Sequence, residues 1–285
     1  MSELIENLEN IKLAIFDLDG VVYRGDKLIL DADKIINKLK DMSIKVVFNS
    51  NNSTATRYTY VERLKKFKIS SEINDYYTSA SITSAEISKI KKKSNIFVIG
   101  EDGLREELKS LGHNVITKPT NYQEIDFVIV GLDRNFNYKN LAIAQRCILE
   151  GDAQFYATNA DSTLPVAGGL LPGAGVMVKA LATCVDKNPI RIFGKPEPFG
   201  IELILKTTKS SPEEACIFGD RLNTDILAGN RAGITSVLVL TGITTKRMLN
   251  DLIIKAKQSK DFDRNILPDI TINKLNEIFK KKEIK

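Results

Sequence analysis

Short apolar runs alternate with amphipathic stretches along almost the whole chain. Runs at 12–16, 44–49, 95–100, 127–132, 153–158, 190–193, 215–219 and 235–240 predict strands. The stretches at 31–41, 54–67, 80–92, 102–111, 138–150, 174–184, 198–207 and 223–232 predict helices between them. Alternation of this kind indicates an α/β fold with a parallel sheet covered on both faces. No internal repeat of fixed period and no low-complexity segment interrupts it. The polar residues that follow the strands divide them into two sets. Strands ending at Asp17, Asn49, Gly194-Lys195 and Gly219-Asp220 carry reactive or anion-binding residue types directly after them, whereas those between about 95 and 158 mostly do not. The first set is expected to form one sheet whose carboxyl ends converge on a site, where ligands bind in open α/β folds. The expected architecture is a Rossmann-like, doubly wound parallel core at 1–79 and 190–285, with an α/β domain inserted at 80–189.

The strand ends carry the candidate chemistry. Ala14-Ile-Phe-Asp17-Leu-Asp19-Gly20 is an apolar run closed by two carboxylates one residue apart and then a glycine turn. Two carboxylates so spaced can share one hard cation, and one of them can attack an electrophile held there; they can also be solvated acids capping a strand. The polar loop Asn49-Ser50-Asn51-Asn52-Ser53 is expected to open a helix near Thr54, where a hydroxyl and backbone N–H groups make an anion site or simply an N-cap. Lys195, between Gly194 and Pro196, can present a point charge to a phosphate or stand in solvent. Asp225 lies one turn into a predicted helix, where an acid is favoured by the helix dipole alone. Asp220, ending a strand beside another acidic strand end, is harder to explain without a cation.

Composition narrows the choice of function. With 285 residues, 43% of them hydrophobic and 27% charged, the chain suits an ordinary globular protein of two domains. The net charge of +5 gathers at the end, in Lys280, Lys281, Lys282 and Lys285, as a solvated tail; no basic stripe interleaved with aromatics suggests nucleic acid. Three scattered cysteines, Cys147, Cys184 and Cys216, argue against a disulfide framework or zinc site. No apolar leader opens the chain and no segment is long enough to span a membrane, so a cytoplasmic protein without membrane partners is expected.

Asp17/Asp19, Ser50, Lys195 and Asp220/Asp225, in this order, resemble the four motifs of the haloacid dehalogenase superfamily of phosphohydrolases. The long insert resembles the α/β cap of its subgroup of 4-nitrophenyl phosphatases, phosphoglycolate phosphatases and pyridoxal phosphate phosphatases. The stretches Val98–Leu104, Val130–Arg134, Ala157–Asp161 and Pro172–Gly175 carry that likeness. The resemblance implies Mg²⁺-dependent hydrolysis of small phosphate monoesters. Asp17 would be the nucleophile, forming an aspartyl-phosphate, and Asp19 the general acid and base, protonated when substrate binds. The metal would be held by Asp17, the Asp19 main-chain carbonyl and Asp220, with Asp225 orienting them from behind. Ser50, the Asn51 N–H and Lys195 would hold the phosphate. Within the cap, the loop Asn159 to Gly169, through Asn159, Asp161 and Leu164, is expected to contact the leaving group. Leu164 stands where pyridoxal phosphate phosphatases have a histidine before the loop proline, which weighs against that substrate. The resemblance also implies a homodimer through the cap.

Other readings use the same residues. A phosphotransferase or phosphomutase shares the core but passes the phosphoryl group to a sugar hydroxyl. An oxidoreductase lacks its Gly-x-Gly-x-x-Gly after the first strand. A non-catalytic binding protein has no need of four acids around one pocket.

Overall fold

The computed structural model describes residues 3–166 and 169–280, so Lys281, Lys282 and Lys285 of the expected tail lie outside the described residues. The chain forms two compact units: Met1–Ser50, Val61–Tyr76 and Lys195–Lys285 make the first, Asn51–Tyr60 and Tyr77–Gly194 the second.

The first unit is built on a six-stranded sheet in the order Ile270–Ile272, Thr235–Val239, Ala215–Gly219, Leu13–Phe16, Lys45–Ser50, Tyr76–Thr78. The first four neighbouring pairs of that order are parallel. Every residue of Leu13–Phe16 and Ala215–Gly219 is buried, as strands covered on both faces must be. Helix Ala32–Asp41 buries Ala32, Ile35, Ile36 and Leu39, the i, i+3, i+4, i+7 stripe of a helix lying on a sheet. From Leu13–Phe16 the chain goes first to one neighbour, Lys45–Ser50, and much later to the other, Ala215–Gly219, so the order reverses at this strand. Register pairs Phe16 with both Phe48 and Phe218, and the Phe16 and Phe218 rings stack at 4.5 Å. The residues just beyond, Asp17, Asn49 and Gly219, therefore emerge side by side at the crevice where open α/β sheets bind ligands.

The second unit has its own parallel sheet, in the order Arg191–Ile192, Gln154–Ala157, Phe127–Val130, Asn95–Ile99, Asn114–Val115. Its core gathers Phe97, Val128, Val130, Phe155, Met177 and Leu181. Here two expectations change. The run at 190–193 does not join the first sheet: Arg191 and Ile192 pair with Tyr156 and Ala157. Thr163–Val166 and Gly169–Pro172 form an antiparallel hairpin rather than a loop, with Leu164 opposite Leu171.

The helix expected to open near Thr54 begins at Arg57, because Asn52 Oδ1 accepts from both the Thr54 N–H at 2.7 Å and the Thr54 hydroxyl at 2.8 Å and holds a turn there. The segment belongs to the second unit for visible reasons. The Gly103 N–H donates to the Thr54 carbonyl at 2.9 Å. A Cβ on Gly103 would fall 2.4 Å from the Ala55 carbonyl, and Arg57 forks onto Glu107 at 2.6 and 3.0 Å. The helix expected at 223–232 is α-helical from Leu227 to Arg231, after a wider turn over Leu222–Ile226. The three cysteines are free thiols. Among the described residues no helix is long and apolar enough to cross a membrane.

His113, the one histidine, is structural. Its Nδ1 accepts the Ser94 N–H at 3.2 Å, so the ring proton sits on Nε2, 2.8 Å from Ser88 Oγ, which donates on to the Ser84 carbonyl at 2.9 Å. Burial lowers the His113 pKa from its ordinary 6.5. Below about pH 6.5 the unfolded chain therefore binds a proton that the folded chain refuses, and stability falls with pH until the folded ring also titrates. In urea titrations between about pH 7.5 and about pH 5.5, wild type should lose more stability than His113→Gln; equal slopes would contradict this role.

Candidate active site

Asp17 follows the central strand directly, and its N–H donates to the Phe218 carbonyl at 2.9 Å. Gly20, at φ +87°, makes the turn after the second acid, and its N–H closes on the Tyr23 carbonyl at 2.7 Å. The centre of the site is Lys195. Only 5% exposed, its ammonium donates to Asp17 Oδ1 at 2.7 Å, Asp225 Oδ1 at 2.6 Å and the Asn49 carbonyl at 2.8 Å. Those bonds use all three of its protons. Burial alone would lower the lysine's pKa, but the carboxylates of Asp17 and Asp225 outweigh it and raise the value. Both carboxylates thus favour the charged ammonium.

The three acids are not equivalent. Asp225 spends both oxygens within the protein: Oδ1 on Lys195, Oδ2 on the Asp220 and Arg221 N–H groups at 3.2 and 3.1 Å. Asp220 Oδ2 accepts the Ile243 N–H at 2.6 Å. Asp17 Oδ2 and Asp220 Oδ1 accept no hydrogen bond among the described residues. Burial first, then Asp225 and Asp220, raise the Asp17 pKa well above its ordinary value against the pull of Lys195. Burial and Asp225 push Asp220 up to about 7, opposed by the Ile243 N–H, Arg221 and Lys195. The side chain of Asp19 reaches solvent; the surrounding protein still raises its pKa, with Arg63, Arg221 and Lys195 opposing.

Oxygens of Asp17, Asp220 and Asp225 lie within 4.8 Å of one another. One lysine leaves this buried set with surplus negative charge, and Asp17 Oδ2 and Asp220 Oδ1 are still without donors among the described residues. Such a set fits a hard divalent cation on Asp17 and Asp220, with Asp225 as the group that fixes Asp220 and Lys195.

Ser50, buried, is the last residue of its strand. Asn51 begins the second unit, where its amide donates to the Asp161 carboxylate at 3.2 and 3.3 Å. Asn159 Nδ2 donates to the Asn51 carbonyl at 2.8 Å, and Leu164 packs against the second unit's core. The structure thus brings Asp17, Lys195, Asp220 and Asp225 into direct contact or close approach in one unit, and Asn51, Asn159 and Asp161 in the other. Sequence reasoning assigns no role to the loop behind Asp220. Thr241 Oγ1 donates to the Gly20 carbonyl at 2.6 Å, the Arg24 guanidinium reaches the Thr241 carbonyl, and Ile243 holds Asp220. The available signal was a glycine, Gly242, closely following the strand Thr235–Val239.

Comparison with known proteins agrees with this geometry. Residues 14–114 match the family model described as haloacid dehalogenase-like hydrolase, and residues 192–269 a second described as HAD-hydrolase-like. A 5′-nucleotidase of Bacillus subtilis is 32% identical over 89% of this chain and 96% of its own. The p-nitrophenyl phosphatase from Archaeoglobus fulgidus superposes with a TM-score of 0.84 at 30% identity, over 94% of this chain and 98% of that one. A glycerol phosphate phosphatase from Mycobacterium tuberculosis, solved in complex with magnesium, gives a TM-score of 0.84 at 25% identity, over 98% and 79%. The chain belongs to the haloacid dehalogenase-like hydrolase family, as an enzyme of its 4-nitrophenyl-phosphatase-like subgroup.

Proposed function

We propose that the protein hydrolyses small-molecule phosphate monoesters through an aspartyl-phosphate on Asp17. The observation that carries this reading is the buried Lys195 ammonium, fixed between Asp17 and Asp225 beside Asp220. Asp17 needs to be ionised to attack, and Lys195 favours that form against the burial that opposes it. A carboxylate oxygen of Asp17 attacks phosphorus and the ester P–O bond breaks. Asp19, whose raised pKa favours its acid form, gives its proton to the departing alkoxide. Asp19 then takes a proton from water as the water oxygen attacks phosphorus. The acyl-phosphate P–O bond breaks, releasing orthophosphate and restoring Asp17. The Ser50 hydroxyl and the Asn51 N–H hold the phosphoryl oxygens, and Lys195, whose three protons are spent within the protein, contributes positive charge to the site.

Mg²⁺ would be held by Asp17, the Asp19 carbonyl and Asp220, and when bound supplies positive charge to the phosphoryl group. Asp161, just before the hairpin of the second unit, and Leu164, on it, are proposed to select the leaving group. They offer no second cation, which favours esters of neutral or modestly polar alcohols, glycerol phosphate ahead of sugar bisphosphates. The names of relatives that act on 4-nitrophenyl and glycerol phosphates support small esters. A dimer through the second unit and a cytoplasmic location remain part of the same proposal.

Phosphate release from 4-nitrophenyl phosphate should require Mg²⁺, stop with chelator, and be inhibited by Ca²⁺, which takes more ligands at longer bonds. Full turnover in excess chelator would sink the assignment of Asp220. Release without any acceptor alcohol separates hydrolysis from phosphotransfer.

A further inference from the structure

Three polar residues of the second unit close a ring around the residue that follows Ser50. The Asn51 carbonyl accepts from Asn159 Nδ2 at 2.8 Å and from Ser79 Oγ at 2.6 Å, which fills both of its lone pairs. The Asn51 side-chain amide donates to Asp161. The Asp161 N–H returns to Asn159 Oδ1 at 3.1 Å. Asn159 is 3% exposed, and its Nδ2 also lies 3.2 Å from Thr158 Oγ1. Its donors are thus spent inside the protein. Gly194 packs on the same pair: a Cβ there would fall 2.7 Å from Asn51 Oδ1 and 3.0 Å from Asn159 Cβ.

We infer that Asn159 is a positioning residue for the phosphate-binding turn: its amide fixes the Asn51 carbonyl, and it does not touch the leaving group. The inference rests on the phosphatase reading above and replaces the substrate contact expected for Asn159 from sequence. A residue that acts this way affects every substrate alike, because every substrate carries the same phosphoryl group. A leaving-group contact discriminates between esters.

The test compares wild type with Asn159→Ala and Ser79→Ala, which remove the two donors to one carbonyl. kcat/KM is measured on 4-nitrophenyl phosphate, glycerol phosphate and a sugar monophosphate, together with inhibition by inorganic phosphate. Asn159→Ala should lower kcat/KM by one common factor of about ten on all three esters, the loss of one buried hydrogen bond. Inhibition by phosphate should weaken in step, and Ser79→Ala should move both quantities in the same direction. A loss that differs between esters by more than roughly threefold, well inside what one leaving-group contact supplies, would overturn the role. So would unchanged phosphate inhibition, the result for a residue that only supports the fold. If Asn159→Ala fails to fold, Ser79→Ala decides by the same two criteria. A wild type that releases phosphate from none of the esters overturns the phosphatase reading and this role with it; a wild type that is active while the variants behave unevenly overturns this role alone.

Discussion

Asp17→Asn should reduce turnover of 4-nitrophenyl phosphate by at least about a thousandfold, some 4 kcal/mol of transition-state stabilisation. An amide cannot form the acyl-phosphate. The fold should survive the change. Removing one partner of a buried ion pair usually costs about 3–5 kcal/mol because the other charge is stranded. Here Lys195 keeps Asp225 at 2.6 Å and the Asn49 carbonyl at 2.8 Å. The substitution also relieves a cost, since burial and two neighbouring acids disfavour the ionised Asp17. The metal-free variant should therefore unfold at a temperature no lower than wild type. Activity and thermal unfolding measured on one preparation check both halves. An inactive variant that has also lost its folding transition would contradict the account of Lys195, and an active one the account of Asp17.

Gly242→Ala should be nearly as damaging although it removes no reactive group. A Cβ at this position would stand 1.8 Å from Asp220 Oδ2 and 2.3 Å from its Cβ and Cγ. The obstacle is a carboxylate held by the Ile243 N–H, on a residue whose own backbone N–H donates to Asp225, so the Asp220 side chain has to leave its position. Displaced supports of metal ligands cost about 10–100-fold in metal affinity; the loss here should reach the upper end, because the ligand itself moves. The Mg²⁺ concentration giving half-maximal activity should rise about a hundredfold, with partial recovery in excess Mg²⁺. Wild-type Mg²⁺ dependence in Gly242→Ala would remove Asp220 from the proposed metal site.

Asp17 and Asp220 were legible in the sequence because each directly follows an apolar run, and a strand end fixes where the next side chain emerges. Lys195 is legible as a residue after its strand, but the sheet that strand joins is not. Arg191-Ile-Phe193 is too short an apolar run to say which sheet it joins; pairing with Tyr156 and Ala157 decides that, and no local pattern encodes a partner so far away. The same limit explains Asn51–Tyr60. Its assignment to the second unit depends on Gly103 and on the Arg57–Glu107 fork, both long-range. The leaving-group contact expected of Asn159 follows from the resemblance of the insert to a cap, and the hydrogen bonds of its amide to Asn51 and Thr158 are long-range or conformational facts that no local pattern encodes. The paired strands Thr163–Val166 and Gly169–Pro172 are not legible, since Pro165 and a glycine pair interrupt a pattern too brief to show alternation.

The central claim is that the phosphoryl group passes through Asp17. Asp19→Asn keeps the backbone carbonyl of the proposed metal site but cannot activate water, so with a good leaving group it should form the acyl-phosphate faster than it loses it. Acid-quenched Asp19→Asn, mixed with 4-nitrophenyl phosphate and Mg²⁺ and digested for peptide mass spectrometry, should carry one phosphoryl group on Asp17. Release of 4-nitrophenol in that variant with no phosphoryl group on Asp17, or with one on any other residue, would contradict the account.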